Sequence, residues 1–356
     1  MKDLEIRNQK IIDAIIEKAK RVCPESLAMI GICGSFATGD YYEKSDLDLL
    51  VLINDDNGWQ LSCTFIQDDL QVGHDIYCTT WEKLEYDSLY NNPNIAKLMD
   101  SKIVYCADEK YMEKLEALRK KAKDNLSAPL SKYDYLKAEK TLKEAEHFYL
   151  MAMTAENMTE LRVQAGYTLY YIENAVAMLN KKYFRYGVKR VYEELALMEK
   201  KPHNLCEMIE SVLSGRSSEE IKSSLTTLVQ ETMGVFKKAN ADLPTDRKPI
   251  TADSVKGTYE EMFSNWRNKT YAAVNENNPH LAYMSLISFS AMLSELSEEW
   301  EIAEYNVFEN YDPQDLRKTT QAFDELIEKY LQEYKKVDLQ PERYRDIDEF
   351  VDRYLG

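Results

Sequence analysis

Gly34-Ser35-Phe36-Ala37-Thr38-Gly39, followed closely by Ser45-Asp46-Leu47-Asp48-Leu49, is the stretch whose reading decides the fold. Residues 27–33 before it form an apolar run of strand length, and residues 47–53 form another. Two aspartates entering an apolar strand one residue apart are unusual, because burying a charge is costly unless it is paired or binds something. On a strand, residues two apart face the same side about 7 Å from one another. Asp46 and Asp48 therefore project together, and their hard carboxylate oxygens suit Mg²⁺. Two such ions, about 3.5–4 Å apart, clamp the attacking and leaving oxygens of an in-line displacement. A third carboxylate is then expected, and Asp75, in the apolar stretch 72–78, is the natural candidate. His74 alternates to the opposite face and reads as structural. Gly34 lets the backbone approach a phosphate. The Ser35 hydroxyl and the amides opening the next short helix can hold phosphate oxygens. Gly39 permits a turn back to the sheet, and Ser45 caps or orients that turn.

Working outward, residues 3–21 carry a helical stripe of Ile11, Ile12, Ile15, Ile16 and Ala19, ended by Pro24. Residues 54–58 are a cluster of turn formers. Residues 61–66 and 70–78 read as two strands, and 103–106 as an edge strand. Thr79 or Thr80 is placed to cap a helix from Trp81. From about residue 108 the pattern becomes helical throughout, with candidate helices at 109–123, 133–154, 159–181, 187–198, 202–213, 217–239, 258–276, 279–305, 313–335 and 346–354. Breaker-rich joints lie at 124–131 and 243–249. The expected organisation is an α+β catalytic domain over 1–107, with a small mixed sheet flanked by helices. A helical bundle over 108–243 follows, and then a second bundle over 250–356, separate from or continuous with the first. The 25 tyrosines read mostly as amphipathic filler at helix seams.

The formal net charge of −17 argues against a long nucleic-acid partner, which needs a basic face. The N-terminus lacks a signal-peptide pattern, and no window approaches the ~18 apolar residues of a membrane span. The six cysteines show no paired spacing, so a disulfide framework and a Cys-x-x-Cys zinc site are both disfavoured. A cytoplasmic protein is expected.

The four elements, Gly-Ser, a short helix, Asp-x-Asp and a later strand Asp, resemble the nucleotidyltransferase superfamily, which includes DNA polymerase β and the aminoglycoside nucleotidyltransferases. Gly34-Ser35 match the first element, Asp46 and Asp48 the acid pair, and Asp75 the third acid. The resemblance spans about residues 25–107 and the opening helix. It implies transfer of a nucleoside monophosphate, AMP from ATP or the equivalent from another nucleoside triphosphate, to a hydroxyl of a small molecule such as an aminoglycoside-like antibiotic. Pyrophosphate is released and Mg²⁺ is required. Many relatives carry a basic residue near the second glycine where this chain has Thr38. Phosphate charge must then be met by Lys44 or by the helical region.

In small-molecule members the acceptor wall is helical and often supplies a carboxylate base. Glu173 is the leading candidate, sharing a helix face with Tyr170, Ala177 and Asn180. Glu144 and Glu146 are weaker rivals. The cluster Lys181, Lys182, Arg185, Lys189 and Arg190 is either a solvated helix end or a phosphate clamp. The helical region exceeds what one pocket wall requires, which leaves room for a homodimer. Two other readings stand beside this one: a protein-modifying nucleotidyltransferase, and a non-catalytic nucleotide-binding or regulatory module of the same fold. The intact acid set counts against the last.

Overall fold

In the computed structural model, residues 2–244 and 246–356 are described. The chain divides into two compact units, Met1–Pro244 and Thr245–Gly356.

The first unit opens with α1 (Lys2–Val22), whose Ile12, Ile15 and Ala19 are buried as the stripe requires. Strand β1 (Leu27–Ile32) follows, then the short α2 (Gly34–Thr38) and β2 (Leu49–Ile53). A 3₁₀ turn, Asp56–Leu61, leads into the hairpin β3 (Cys63–Gln67) and β4 (Val72–Ile76), then β5 (Cys78–Thr80). Helices α3 (Trp81–Ser88) and α4 (Ala96–Asp100) precede β6 (Lys102–Cys106). Thr80 caps α3 by accepting from Lys83 N at 3.3 Å.

The main sheet has the order β5-β2-β1-β6, and β3-β4 stand apart as a two-stranded sheet. β1 pairs antiparallel with β2 and with β6, while β5 joins β2 in parallel. The main sheet is therefore mixed, with β6 at its edge. Expected strand 70–78 divides at Tyr77, because β4 belongs to the hairpin and β5 to the main sheet. The second expected strand begins at Leu49 rather than 47, although Asp48 O still accepts from Cys33 N at 2.9 Å.

β2 is buried on both faces, which explains its uninterrupted apolar run. Leu47, Leu49, Val51 and Ile53 join a core with Ile12, Ile15 and Ala19 of α1. Leu50 and Leu52 join a second core with Leu98, Leu115, Leu142, Ile172 and Val176. That second core runs without a break from the sheet into α5 (Glu109–Ser127), α6 (Lys132–Thr154), α7 (Met158–Leu179), α8 (Val191–Ala196), α9 (Leu205–Ser214) and α10 (Ser218–Ala241). Residue 107 thus marks a change of secondary structure inside one core. α6 and α7 form the most extensive helix pair, with α10 packed on both. Expected helix 187–198 shortens to α8 after a 3₁₀ turn, Val188–Arg190, because Gly187 turns the chain with φ +65°.

The second unit contains α11 (Ala252–Val255), α12 (Thr258–Glu261), a π-helical stretch Met262–Arg267, α13 (Asn268–Glu276), α14 (Pro279–Glu299), α15 (Leu316–Lys336) and α16 (Ile347–Leu355). Its core is aromatic, built from Tyr259, Trp266, Phe289, Phe323, Tyr330 and Tyr334. Their hydroxyls find partners, as buried tyrosines require: Tyr334 donates to Glu260 Oε2 at 2.7 Å, and Tyr330 bonds Thr258 at 2.8 Å. Among the described residues, no helix is long and apolar enough to cross a membrane.

Candidate active site

The turn between β1 and α2 is built for close approach. Gly34 sits at φ +56°, and a Cβ there would stand 2.0 Å from Asp48 Oδ2. Only glycine allows the Asp48 carboxylate to lie against this turn. Gly39, at φ +87°, ends α2, and its N–H donates to Ser35 O at 2.8 Å. Ser35 is half-buried at the start of α2. Thr38 donates its hydroxyl toward Gly34 O, Ser35 O and the Asp40 carboxylate, and that last bond is the first cause of the lowered Asp40 pKa.

Ser45 is buried and closes the return turn: its Oγ accepts from Tyr42 N at 3.0 Å. Its carbonyl accepts from Arg7 Nη2 at 2.8 Å. Lys44 is exposed on that turn. Asp46 and Asp48 are both half-buried and flank the buried Leu47. Burial raises the Asp48 carboxyl above its ordinary range, the Asp46 charge adds to the rise, and Lys97 opposes it. The strand alternation puts Asp48 on the face of Leu50 and Leu52.

Asp75 is exposed on β4, opposite Thr64 of β3. It lines an open groove of about 730 Å³ with Asp46, Phe65, Ile66, Asp68 and His74. The structure thus brings Asp46 and Asp48 together and sets Asp75 in the groove with Asp46. Among the described residues, no three of His, Cys, Asp and Glu are drawn close enough together to hold a metal ion. The donor set nevertheless suits a hard divalent cation on Asp46 and Asp48, with phosphate and water oxygens completing its shell. His74 is buried, stacked on Phe65 with ring centroids 4.8 Å apart, and bonded to Gln67 Oε1 at 3.3 Å.

Residues 10–127 match the family of the nucleotidyltransferase domain, and residues 146–242 match the KNTase C-terminal domain. The chain belongs to the nucleotidyltransferases. The family is one of transferases that use a nucleoside triphosphate and a divalent metal. No curated protein matches this nucleotidyltransferase. A solved structure, the nucleotidyltransferase-like protein from Exiguobacterium sibiricum 255-15, is similar at 13% identity, over 66% of this chain and 78% of that one, with a TM-score of 0.37.

Within the KNTase C-terminal domain of this nucleotidyltransferase, Glu173 is half-buried on α7. Burial alone pushes its carboxyl up to about 7. Its charge acts on Tyr192 and Cys206, whereas the charges acting on Asp48 are those of Asp46 and Lys97. The structure therefore gathers Gly34, Ser35, Asp46 and Asp48 at the turn and sets Glu173 among helical neighbours.

The basic cluster divides in two. Lys181 is buried, with Nζ 2.7 Å from Asp134 Oδ2, and pins α7 to the start of α6. Arg185 pairs with Asp100 at 3.4 Å, Arg190 pairs with Glu193, and Lys189 Nζ donates to Asp40 O at 3.0 Å. The segment after α7 thus reaches the loop that follows Gly39.

Two cations near the acids lie outside the sequence reading. Arg7 anchors Ser45, and its charge acts on Asp46 and His74. Lys97 acts on Asp48 from α4. Neither stands in a recognisable spacing to Asp46 or Asp48, so only tertiary structure reveals them.

Proposed function

We propose that this nucleotidyltransferase moves AMP from ATP to a hydroxyl of a small, cationic, aminoglycoside-like molecule in the cytoplasm. The observation that carries this reading is the contact of Asp48 with Gly34. It sets the half-buried Asp48 carboxylate, one of the acid pair, directly against a turn suited to phosphate. The presence of a KNTase C-terminal domain, named for a kanamycin-modifying enzyme, supports the acceptor class. The net charge of −17 favours a cationic acceptor through long-range attraction.

In the proposed reaction the acceptor oxygen forms a bond to the α-phosphorus. The bond from that phosphorus to the bridging oxygen breaks, pyrophosphate leaves with the electron pair, and the hydroxyl proton passes to a base. Asp46 and Asp48 would hold Mg²⁺, which when bound supplies positive charge to the transferring phosphate. Asp75 lines the groove beside Asp46 and, as the third acid, would complete the metal site at the acceptor end. Gly34 gives the triphosphate access to backbone amides, and the Ser35 hydroxyl donates to its oxygens. Glu173 of α7 is the candidate base, and an acceptor hydroxyl bound between the turn and α7 would have to come within hydrogen-bond reach of it for the proton to pass there. A carboxyl poised near 7 is matched to that task, and a positioned base contributes roughly 10²–10⁴-fold.

Calorimetry of Mg-ATP binding to the native protein beside the double variant Asp46→Asn/Asp48→Asn tests the site. The native protein should bind, and the double variant should lose the metal-dependent component. Equal binding by both would remove the acid pair from the site. Pyrophosphate release across a panel of aminoglycosides then tests the acceptor class, and no release with any of them would exclude it.

A further inference from the structure

Helix α2 carries no basic residue, and the Thr38 hydroxyl is engaged with Asp40 and the α2 backbone. A triphosphate at Gly34-Ser35 would carry several negative charges beside two carboxylates. A cation must therefore stand within reach of this turn. The nearby candidates differ in what already holds them. Lys189 donates to Asp40 O, Arg190 is paired with Glu193, Arg185 with Asp100, and Arg7 is bonded to Ser45 O.

Lys97 differs from these. Among the described residues its ammonium makes no ion pair and no hydrogen bond and is exposed, as is also true of Lys44 and Lys182, but Lys97 stands on a helix whereas those two lie outside the helices and strands. It stands on α4, which packs against α2. Leu98, the next residue, is fully buried in the core that holds Leu50 and Leu52, so α4 lies on the face of β2 toward which Asp48 projects. The Lys97 ammonium opposes the burial-driven rise of both the Asp48 carboxyl and the Cys33 thiol, the groups on either side of the Gly34 contact. The short helix is braced at its far end. Arg119 of α5 donates to Leu98 O at 2.8 Å and to Ser101 O at 2.6 Å, and Asp100 is paired with Arg185. A free ammonium on a braced helix beside the turn is a preorganised charge.

We infer that Lys97 is the phosphate-binding cation of this nucleotidyltransferase, receiving the β- and γ-phosphates that leave as pyrophosphate. This rests on the nucleotidyl-transfer reading above. As the bond between the α-phosphorus and its bridging oxygen breaks, negative charge accumulates on the leaving pyrophosphate, and Lys97 neutralises it. No proton needs to move, because the ammonium acts as a charged donor throughout.

The test measures binding of ATP, AMP and inorganic pyrophosphate, each with Mg²⁺, to native protein, Lys97→Met and Lys97→Arg, with thermal denaturation to verify folding. Losing one charge-assisted contact should weaken ATP and pyrophosphate roughly 10- to 100-fold in Lys97→Met. AMP, which lacks the leaving phosphates, should bind as to the native protein. Lys97→Arg should recover most of the pyrophosphate affinity. A folded Lys97→Met that binds pyrophosphate as tightly as native protein overturns the assignment. So does equal weakening of AMP and pyrophosphate, which would mean a structural role. Native protein that binds neither ATP nor pyrophosphate would overturn the nucleotidyl-transfer reading itself.

Discussion

Gly34→Ala puts the geometry of the site under the most direct test. The new Cβ would stand 2.0 Å from Asp48 Oδ2, 2.8 Å from its Cγ and 3.0 Å from its Cβ. Ordinary carbon contacts begin near 3.5 Å, so the carboxylate must retreat by roughly 1 Å or more. Two costs follow. Holding alanine at φ +56° costs about 1–2 kcal/mol, since left-handed backbone crowds Cβ against the following carbonyl. Turning Asp48 off its preferred rotamer costs a further 0.5–1.5 kcal/mol or so. A loss of about 1.5–3.5 kcal/mol is within reach of chemical denaturation. The functional loss should be larger in proportion, because a misplacement of about 1 Å in a reacting site costs on the order of 10²-fold.

The assay is a double-mutant cycle read by denaturation. Asp48→Ala removes the carboxylate that meets the new Cβ but leaves the backbone of Gly34 unchanged. In the Asp48→Ala background, Gly34→Ala should therefore cost only the backbone component and the milder contact with the remaining Cβ. The two substitutions should couple by roughly 0.5–1.5 kcal/mol, as residues in direct contact do. If Gly34→Ala destabilises both backgrounds equally, the carboxylate does not lie against the turn. Gly34 would then have no special part in holding a phosphate beside Asp48.

Glu173→Gln should slow turnover roughly 10²–10⁴-fold with little change in ATP affinity, and an unchanged rate would remove Glu173 as the base. The same variant has a signature in stability. The folded carboxyl titrates near 7 and its ordinary value is 4.5, so the native state holds a proton that the unfolded chain has released. Native stability should fall as pH rises from about 4.5 to 7 and then level, by about 2–3 kcal/mol relative to Glu173→Gln. A pH-independent difference between the two proteins over that window would contradict burial as the cause. Lys181→Met leaves the half-buried Asp134 without its ammonium partner but still bonded to Ser131, and should destabilise the first unit by about 1–3 kcal/mol in urea denaturation. A change below about 1 kcal/mol would mean that the pair is worth no more than an exposed one.

Gly34-Ser35 and Asp46-Leu47-Asp48 were legible because their chemistry is written locally: glycine where no Cβ fits, and alternate acids at the mouth of an apolar strand. The α+β order, the helical region after it and the Thr80 cap follow from the same short-range patterns. What the sequence left out is set by tertiary structure. The strand expected over 70–78 serves two different sheets, and nothing in its composition marks Tyr77 as the point of change. Ser45 reads as a cap on the return turn and its hydroxyl does accept from Tyr42 N, but nothing in its spacing marks Arg7 as the partner of its carbonyl. The basic cluster looked uniform along the chain. In the structure, Lys181 is a buried pin and Lys189 reaches Asp40, because the chain leaves α7 through a left-handed residue, Lys181 at φ +54°, and turns back toward the sheet.

The two faces of β2 explain why the acids stand where they do. Along the strand, every side chain from Leu49 to Ile53 is buried, odd positions against α1 and even positions against the helical core. Asp48 is the first even position beyond that double cover. It inherits the direction of Leu50 and Leu52 but not their burial. The carboxylate therefore emerges at the edge of a rigid core, where desolvation raises its pKa and where α4, packed on the same face, presents Lys97. A site made this way needs no long-range rearrangement to hold its acids apart from water on one side and open on the other. It also means that substitutions at Leu50 or Leu52 should disturb Asp48 and α4 together, whereas substitutions at Leu49 or Val51 act first through α1.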